Sequence, residues 1–198
     1  MNLHFFDLAQ TPATPWKNGG GSTREIACWP EGSGMDRFGW RVSVATIDAP
    51  GPFSVFAGVD RQIMLLDGDG VHLASPGWQH RLGERWQPLA FAGDEPVHCT
   101  PLGGASTDFN LMLRRGAWQG RLQVLREAPP PASSGLCMVL QGRWHGPRQL
   151  EPGQGCWWVQ ADDAPSITPL AEQGAAPPVL AWIALEQCAA ENSSQIGR

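Results

Sequence analysis

The residues best suited to chemistry stand together near the start of the chain, where three consecutive glycines begin at position 19. Lys17 is the only lysine among the 14 lysine and arginine residues. Its compact ammonium binds anions differently from a planar guanidinium, so solubility alone does not explain it. Glycines beside it let backbone N–H groups approach an anion. The segment predicts an anion-binding site, with a plain surface turn as the alternative. The predicted members are Trp16, Lys17, Asn18, Gly19 and Gly20.

Two further segments each carry polar residues two positions apart among apolar neighbours. Arg41 and Ser43 form the first pair, and Asp108 and Asn110 form the second. Because successive side chains of a strand point to opposite faces, each pair lies on one face. Arginine binds carboxylates bidentately, and asparagine both donates and accepts hydrogen bonds. The pairs either line a polar pocket or lie on a wet outer face. We predict that both pairs point into one lumen, where Lys17, Arg41 and Asn110 contact the ligand.

Asp60 and Arg61 place opposite charges at the start of an apolar run. Arg61 is a further candidate for binding an anion. Asp60, like Asp108, would balance the cations in the empty site. An ordinary ion pair between Asp60 and Arg61 at a turn explains the same residues, and both interpretations stay open.

The elements that position these residues have the character of short strands separated by glycine- and proline-rich turns. Residues 137–142 echo residues 63–68, and residues 150–153 echo residues 89–93, which predicts a duplicated all-β unit. A helix over 181–190 is the strongest rival element, because of its alanine content. The predicted strands span residues 3–8, 22–29, 38–47, 61–66, 71–73, 107–115, 120–127, 157–159 and 179–185, and the Asp67–Gly70 turn predicts a hairpin.

Composition limits the class of protein. The 198 residues are enough for one domain with a good core. A net charge of -5 argues against nucleic acid and anionic membranes as partners. No signal-like or membrane-spanning apolar run occurs, and the five cysteines show no CxxC pair. We expect a cytoplasmic protein.

Five sequence blocks, in order, resemble the signature of the HutD/Ves family. The resemblance implies a cupin-type double-stranded β-helix barrel in a bicupin arrangement. It implies one domain over residues 1–188, with halves of about 1–118 and 119–188. The polar composition of residues 189–198 predicts a flexible tail. The resemblance also implies an association with bacterial histidine utilisation, without an established enzymatic activity. The blocks are residues 16–26, 38–43, 51–56, 58–61 and 108–112.

The histidines do not follow the ligand spacing of metal-binding cupins, which use His-x-His, a glutamate and a later histidine. His72 and His98 are the pair most able to meet across a barrel, and coordinates are needed to decide whether they do. No Gly-x-Ser-x-Gly elbow occurs. We therefore expect neither a metal nor another cofactor.

The polar set is best explained as a binding site for a small anionic metabolite in a monomeric or homodimeric protein. The family resemblance implies an intermediate of histidine utilisation, such as formylglutamate or urocanate, which the protein would sense or buffer. One alternative is an isomerase or hydrolase that uses Lys17 and Asp108 for acid–base work. Another is a protein-interaction module, in which some of the ten tryptophans form an interface.

Overall fold

The computed structural model describes residues 3–162, 164–171 and 174–189. The predicted tail, except for Ala189, lies outside these residues. None of the helices in the described ranges is long and apolar enough to cross a membrane. The elements are β1 (Leu3–Asp7), β2 (Ala13–Pro15), β3 (Gly21–Trp29), α1 (Gly34–Arg37), β4 (Trp40–Ile47), β5 (Gly51–Pro52), β6 (Val59–Asp67), β7 (Val71–Ser75), β8 (Trp78–Leu82), β9 (Leu89–Ala92), β10 (His98–Pro101), β11 (Ser106–Arg114), β12 (Trp118–Leu125), β13 (Ser134–Gln141), β14 (Arg143–His145), β15 (Gln149–Leu150), β16 (Gln154–Trp158), β17 (Thr168–Leu170) and β18 (Val179–Gln187).

The strands form four sheets, which pair into two barrels. Sheet I has the order β2-β3-β4-β11-β6-β9, and sheet II has the order β5-β10-β7-β8. Sheet III has the order β1-β16-β13-β18-β12, and sheet IV has the order β15-β14-β17. Sheets I and II enclose the first barrel, and sheets III and IV enclose the second. The all-β, cupin-type fold expected from the sequence is confirmed.

The strand order of the first barrel is repeated in the second. The run β4-β11-β6-β9 corresponds to β12-β18-β13-β16, and β10-β7-β8 corresponds to β17-β14-β15. The sequence similarity between residues 63–68 and residues 137–142 therefore falls on equivalent strands, β6 and β13. Both end at a glycine with positive φ, Gly68 at 93° and Gly142 at 70°. The repeat fits the bicupin arrangement.

Two details of the sequence interpretation are wrong. Residues 150–153 run from the end of β15 to the start of β16, so they do not correspond to residues 89–93, of which 89–92 form β9, the equivalent of β16. The Asp67–Gly70 turn is a corner between sheets I and II, because β6 and β7 do not pair. Residues 179–187 form strand β18, so the predicted strand over 179–185 is confirmed and the rival helix is absent from residues 181–187. Both faces of β18 are buried, so its sequence lacks the polar alternation of a half-exposed strand.

The N-terminal strand joins the second barrel. β1 pairs antiparallel with β16 at the edge of sheet III, with Leu3 opposite Trp158. The first residues therefore belong with residues 118–187, not with the strands that follow them. This arrangement ties the two ends of the described chain into one sheet.

The hydrophobic core has three parts. The largest lies between sheets I and III, where side chains from β4 and β11 pack against side chains from β13 and β18. A second fills the interior of the second barrel, and a third lines one end of the first barrel. The first barrel is therefore held from outside by sheet III, and part of its interior is left for a cavity.

The glycines at positions 19 to 21 shape the turn from β2 to β3, and their roles differ. Gly19 has a φ of 71°, a conformation that costs other residues free energy. A Cβ at Gly21 would lie 2.2 Å from the Thr46 carbonyl oxygen and 3.1 Å from the Trp16 ring. A Cβ at Gly20 would make only ordinary contacts, the nearest at 3.5 Å from Asn18.

We expect Gly21→Ala to lower the free energy of unfolding by about 1–3 kcal/mol, because β3 must move away from β4 to admit the methyl group. Gly20→Ala is the matched control and should change it by less than about 0.5 kcal/mol. Urea denaturation of both variants measures the difference. Equal stability of the two would contradict the assigned packing of Gly21 against Thr46 and Trp16.

Candidate functional site

A cavity of about 660 Å³ lies in the first barrel, between sheet I and the loop that follows β5. The structure brings most of the predicted site residues to its wall. Both pairs with a spacing of two residues face this cavity, one from β4 and the other from β11. The predicted residues on the wall are Trp16, Lys17, Asn18, Arg41, Ser43, Arg61, Asp108 and Asn110.

The register of sheet I aligns these residues in rows. Ser43 of β4 lies opposite Asn110 of β11. Met112 lies between two arginines, with Arg41 opposite it on β4 and Arg61 opposite it on β6. Neighbouring strands are spaced about 4.8 Å apart, so the backbones of the two arginines are about 10 Å apart across β11. Their long side chains can reach a common ligand above Met112.

Arg41 is held by neighbours on three strands. Its Nε donates to Glu25 Oε2 at 2.7 Å, and one terminal nitrogen donates to Ser43 Oγ at 3.3 Å. The same nitrogen lies 3.9 Å from the Met112 sulfur. The Glu25 side chain is half exposed. Arg41 is therefore buried but neutralised by a carboxylate at the mouth of the cavity.

Arg61 is buried without a counter-ion. Its side chain is packed against aromatic rings, with the guanidinium carbon 5.0 Å from the ring centres of both Phe53 and Phe91. One terminal nitrogen donates to Asn110 Oδ1 at 3.4 Å. No carboxylate among the described residues forms an ion pair with Arg61, and its Nε lacks a partner there. Burial, and then repulsion by Arg41, lower the pKa of Arg61 to about 10.

Asp108 is the acidic counterpart of Arg61 on the same wall. It is 0% exposed. Within the described part of the chain, no group donates to either of its carboxylate oxygens. Burial raises the pKa of Asp108 to about 7. The pKa of the buried Cys99 thiol is raised to about 12. Burial is the main cause, and the negative charge of Asp108 is the second.

The turn from β2 to β3 forms one rim of the cavity. The Trp16 indole N–H donates to Thr23 Oγ1 at 2.7 Å, and Asn18 Oδ1 accepts from the Gly20 N–H at 3.1 Å. Lys17 is exposed at this rim and makes no hydrogen bond or ion pair with the residues described. Its ammonium is therefore available to a ligand at the mouth, and it does not pair with Asp108.

Three predicted residues lie away from the wall. Gly19 and Gly20 shape the turn, as described above, and do not line the cavity. Asp60 points to the opposite face of β6, because its neighbour Arg61 faces the cavity. The exposed Asp60 carboxylate accepts from Arg115 at 2.7 Å. Asp60 therefore neither lines this cavity nor pairs with Arg61.

Two β-bulges lie beside the polar residues. The register of β3 against β4 shifts between Glu25 and Ala27, so Glu25 faces the cavity and Ala27 faces the core between the barrels. The register of β6 against β11 shifts beside Asp108. Bulges redirect side chains and are common next to functional sites. Here one of them lets Glu25 face the cavity while Ala27, two residues later, faces the core.

Sequence reasoning missed several residues of the wall. Glu25 lies two positions after Thr23 on a predicted strand, and this alternation could have placed both on one face. Phe53 and Phe56 belong to a block whose only signal in the sequence is its family resemblance. Their rings contact Arg61 only after the chain has folded, so no local sequence pattern predicts the contact. The other missed residues are Thr14, Pro15, Met35, Ala45, Ile47, Pro52, Ser54, Ile63 and Met112.

His72 and His98 do not approach the cavity. They lie on neighbouring strands of sheet II, with Leu73 and Cys99 between them and turned to the buried side. The histidines therefore share the outer face of this sheet. The described residues contain no group of three or more His, Cys, Asp or Glu side chains placed to hold a metal ion.

A family model, a curated relative and two solved structures each match most of this chain. The HutD family model matches residues 8–176. The chain is 40% identical over 163 residues to Protein Ves of Cronobacter sakazakii, covering 80% of this chain and 88% of that protein. The structure of HutD from Pseudomonas fluorescens, in a formate condition, has a TM-score of 0.80 at 30% identity and covers 94% of this chain and 100% of that one. A conserved protein of unknown function from Pseudomonas aeruginosa has a TM-score of 0.81 at 32% identity, with the same coverage.

We expect Asp108→Asn to stabilise the protein more at about pH 8 than at about pH 5. The pKa of Asp108 in the folded protein, about 7, lies above the ordinary aspartate pKa of 3.8. Stability is therefore lost as the pH rises between these two values, because the unfolded chain releases the proton first. Asparagine does not titrate, so the variant's advantage should grow by on the order of 2 kcal/mol across this range. Urea denaturation at both pH values measures it, and an equal difference at the two would contradict the assignment.

Proposed function

The chain belongs to the HutD family, and on this premise we propose that it binds a small carboxylate-bearing metabolite in the first barrel. In this proposal the protein senses or buffers the metabolite and does not consume it. The family name connects it with histidine utilisation, so intermediates such as formylglutamate and urocanate are the first candidates. The proposal places the protein in the cytoplasm, where these intermediates arise.

The buried Arg61 carries this proposal. Burying a cation in apolar surroundings costs free energy unless a partner compensates it. The Phe53, Phe56 and Phe91 rings offer only part of this compensation, through cation–π contacts. No carboxylate of the described chain supplies the remainder. A ligand carboxylate in the adjoining cavity would pair with Arg61 and explain why an arginine is held there.

The rest of the wall supports the same class of ligand. Arg41 and Lys17 add positive charge from the opposite wall and the rim, and Ser43 and Asn110 add hydrogen-bonding groups. The volume of about 660 Å³ lies within the range of small-molecule pockets. Trp16 and the phenylalanines supply the apolar part of the lining. The site therefore suits a small organic anion.

An enzyme on the same site is the second candidate function. The Asp108 carboxyl has a pKa of about 7, which suits a general acid or base at neutral pH. Incubation with formylglutamate and urocanate, followed by analysis for products, separates the two candidates. Turnover that is lost in Asp108→Asn would favour the enzyme, and bound but unchanged ligand would favour the sensor.

An interaction module receives less support from the tryptophans. All ten lie within the described residues, and each is buried or half-buried. They pack inside the barrels, between them or at the cavity rim, so they do not form an exposed aromatic patch. A role in binding partners would have to use other residues.

We expect Arg61→Met to weaken carboxylate binding while keeping the fold. Loss of a charge-assisted contact of this kind should weaken binding by roughly tenfold to a hundredfold. Methionine fills similar space among the phenylalanines, and the change removes an uncompensated charge, so stability should stay within about 1 kcal/mol. A calorimetric screen of acetate, glutarate, formylglutamate and urocanate identifies the ligand and then compares the variants.

Arg115→Met is the matched control for this experiment, because Arg115 is exposed and pairs with Asp60 and Asp94 away from the cavity. It should leave ligand affinity unchanged. Equal affinity of the wild-type protein and Arg61→Met for the selected ligand would refute the proposal that Arg61 holds a carboxylate.

Lys17→Ala should have a smaller effect than Arg61→Met. Lys17 is exposed, so solvent and salt screen its attraction for the ligand, and we expect a loss of affinity of roughly twofold to fivefold. The loss should shrink at high salt, and the melting temperature should not change. Calorimetry at two salt concentrations measures this, with Arg126→Ala, an exposed residue outside the wall, as control. An unchanged affinity at low salt would show that Lys17 is an ordinary surface turn residue that does not contact the ligand.

A further inference from the structure

One carboxylate of the protein already occupies part of the anion-binding wall. Glu25 Oε2 accepts a hydrogen bond of 2.7 Å from Arg41 Nε, and the Glu25 side chain has no other hydrogen-bond partner within the described part of the chain. Arg41 and Arg61 lie on either side of Met112, so a ligand held at one arginine also meets the other. Glu25 therefore holds a place at Arg41 that a ligand carboxylate would take.

Only half of the carboxylate-binding edge of Arg41 is used. Nε and the terminal nitrogen Nη2 of an arginine point the same way and form a fork that matches a carboxylate. The exposed Arg115 shows this use of both nitrogens, which donate to Asp60 at 3.0 and 2.7 Å. At Arg41, Glu25 takes Nε alone, and Ser43 accepts from Nη1 on the other edge.

The unused nitrogen, Arg41 Nη2, remains open to a ligand. It has no hydrogen-bond partner among the residues that the structure describes. It is also not one of the buried polar atoms that lack a partner there, so it retains accessible surface. A ligand carboxylate can approach this nitrogen first, but it gains the whole fork only if Glu25 leaves Nε.

Glu25 can leave Arg41 without disturbing the fold. The Glu25 side chain is half exposed, whereas that of Arg41 is 8% exposed. β2 pairs with β3 only over residues 22–24, so β2 does not extend along β3 to cover Glu25. The carboxylate can therefore turn into water, while Ser43 and Met112 still contact the Arg41 guanidinium.

We propose that Glu25 is an internal competitor for the anion site. It holds Arg41 in the empty protein, and a carboxylate ligand displaces it by taking both Nε and Nη2. This inference deepens the proposed function and rests on it, because it needs a carboxylate in the cavity of the first barrel. Glu25 then sets the affinity of the site, since the ligand must replace an existing ion pair, and the protein responds only to higher concentrations of the metabolite.

A purely structural role of Glu25 makes the opposite prediction. If the ion pair served only to orient Arg41 for binding, its loss would weaken the binding of a carboxylate. Competition predicts tighter binding, because Arg41 keeps its contacts with Ser43 and Met112 when Glu25 is neutralised. The direction of the change in affinity therefore separates the two roles.

The test measures the affinity of Glu25→Gln for acetate, glutarate, formylglutamate and urocanate by calorimetry. Glutamine keeps the size of the side chain and offers Arg41 a neutral acceptor, which a charged ligand displaces more easily. We expect each carboxylate that the wild-type protein binds to bind roughly tenfold more tightly, since a hydrogen bond between two charged groups no longer has to be broken. Glu127→Gln, the same substitution at an exposed position outside the wall, should leave the affinity unchanged.

Removing a negative charge near the mouth would attract anions by itself, so a second comparison isolates Arg41. In the Arg41→Met background, Glu25→Gln should strengthen binding by no more than roughly twofold, the effect of a unit charge acting through water over about 8 Å. The gain through Arg41 should also persist at high salt, which screens the longer-range attraction. If Arg41→Met abolishes binding, this salt dependence decides between the two effects.

Unchanged or weaker binding in Glu25→Gln would overturn this inference and leave the proposed function standing. An equal gain with and without Arg41, or a gain that disappears at high salt, would overturn it as well. Binding of a carboxylate by Glu25→Gln but not by the wild-type protein would support both proposals. If neither protein binds any of the four carboxylates, the proposed function fails together with this inference.

Discussion

The packing of sheet I against sheet III fixes which side chains reach the cavity. On β4 and β11, every second residue is a large apolar side chain that lies in the core between the barrels, among them Trp40, Val42, Phe109 and Leu111. The alternate residues then face the cavity. A slip of one residue in either strand would move Arg41 or Asp108 into this core and expose the apolar side chains to the cavity. The hydrophobic contact between barrels therefore sets the chemistry of a site inside one of them.

A polar contact reinforces the same register. The Gln62 side chain donates to the Gly120 carbonyl oxygen and accepts from the Leu122 N–H, both at 2.8 Å. Gln62 lies next to Arg61 on β6, and its amide extends the hydrogen bonding of β12, a strand of the second barrel. The orientation of Arg61 toward the cavity is thus linked to the attachment of the second barrel. The free energy gained by this interface can offset the burial of two unsatisfied polar groups, as functional sites often require.

The sequence was sufficient to predict an all-β fold and to predict which residues of β4 and β11 share a face, because both predictions depend on a period of two residues. It could not predict that Asp60 leaves the wall and pairs with Arg115, since that choice depends on the partner strand. The bulge that turns Ala27 to the face opposite Glu25 has no clear sequence signal. The Phe53 and Phe91 contacts with Arg61 depend on folding distant segments together. Local spacing therefore found the polar pairs, while their partners required the three-dimensional structure.

The two barrels share a strand order but have interiors of different kinds, and the polar cavity lies in the first of them. β11 turns Asp108, Asn110 and Met112 into the first barrel, whereas its equivalent β18 turns Leu180 and Trp182 into the second. Trp144 and Trp158 join them there and fill the interior. The second barrel is a packed body with an apolar outer face, and that face holds sheet I in place. Close packing and a polar cavity cannot occupy the same barrel interior. The second barrel is closely packed, and the first barrel holds the polar cavity.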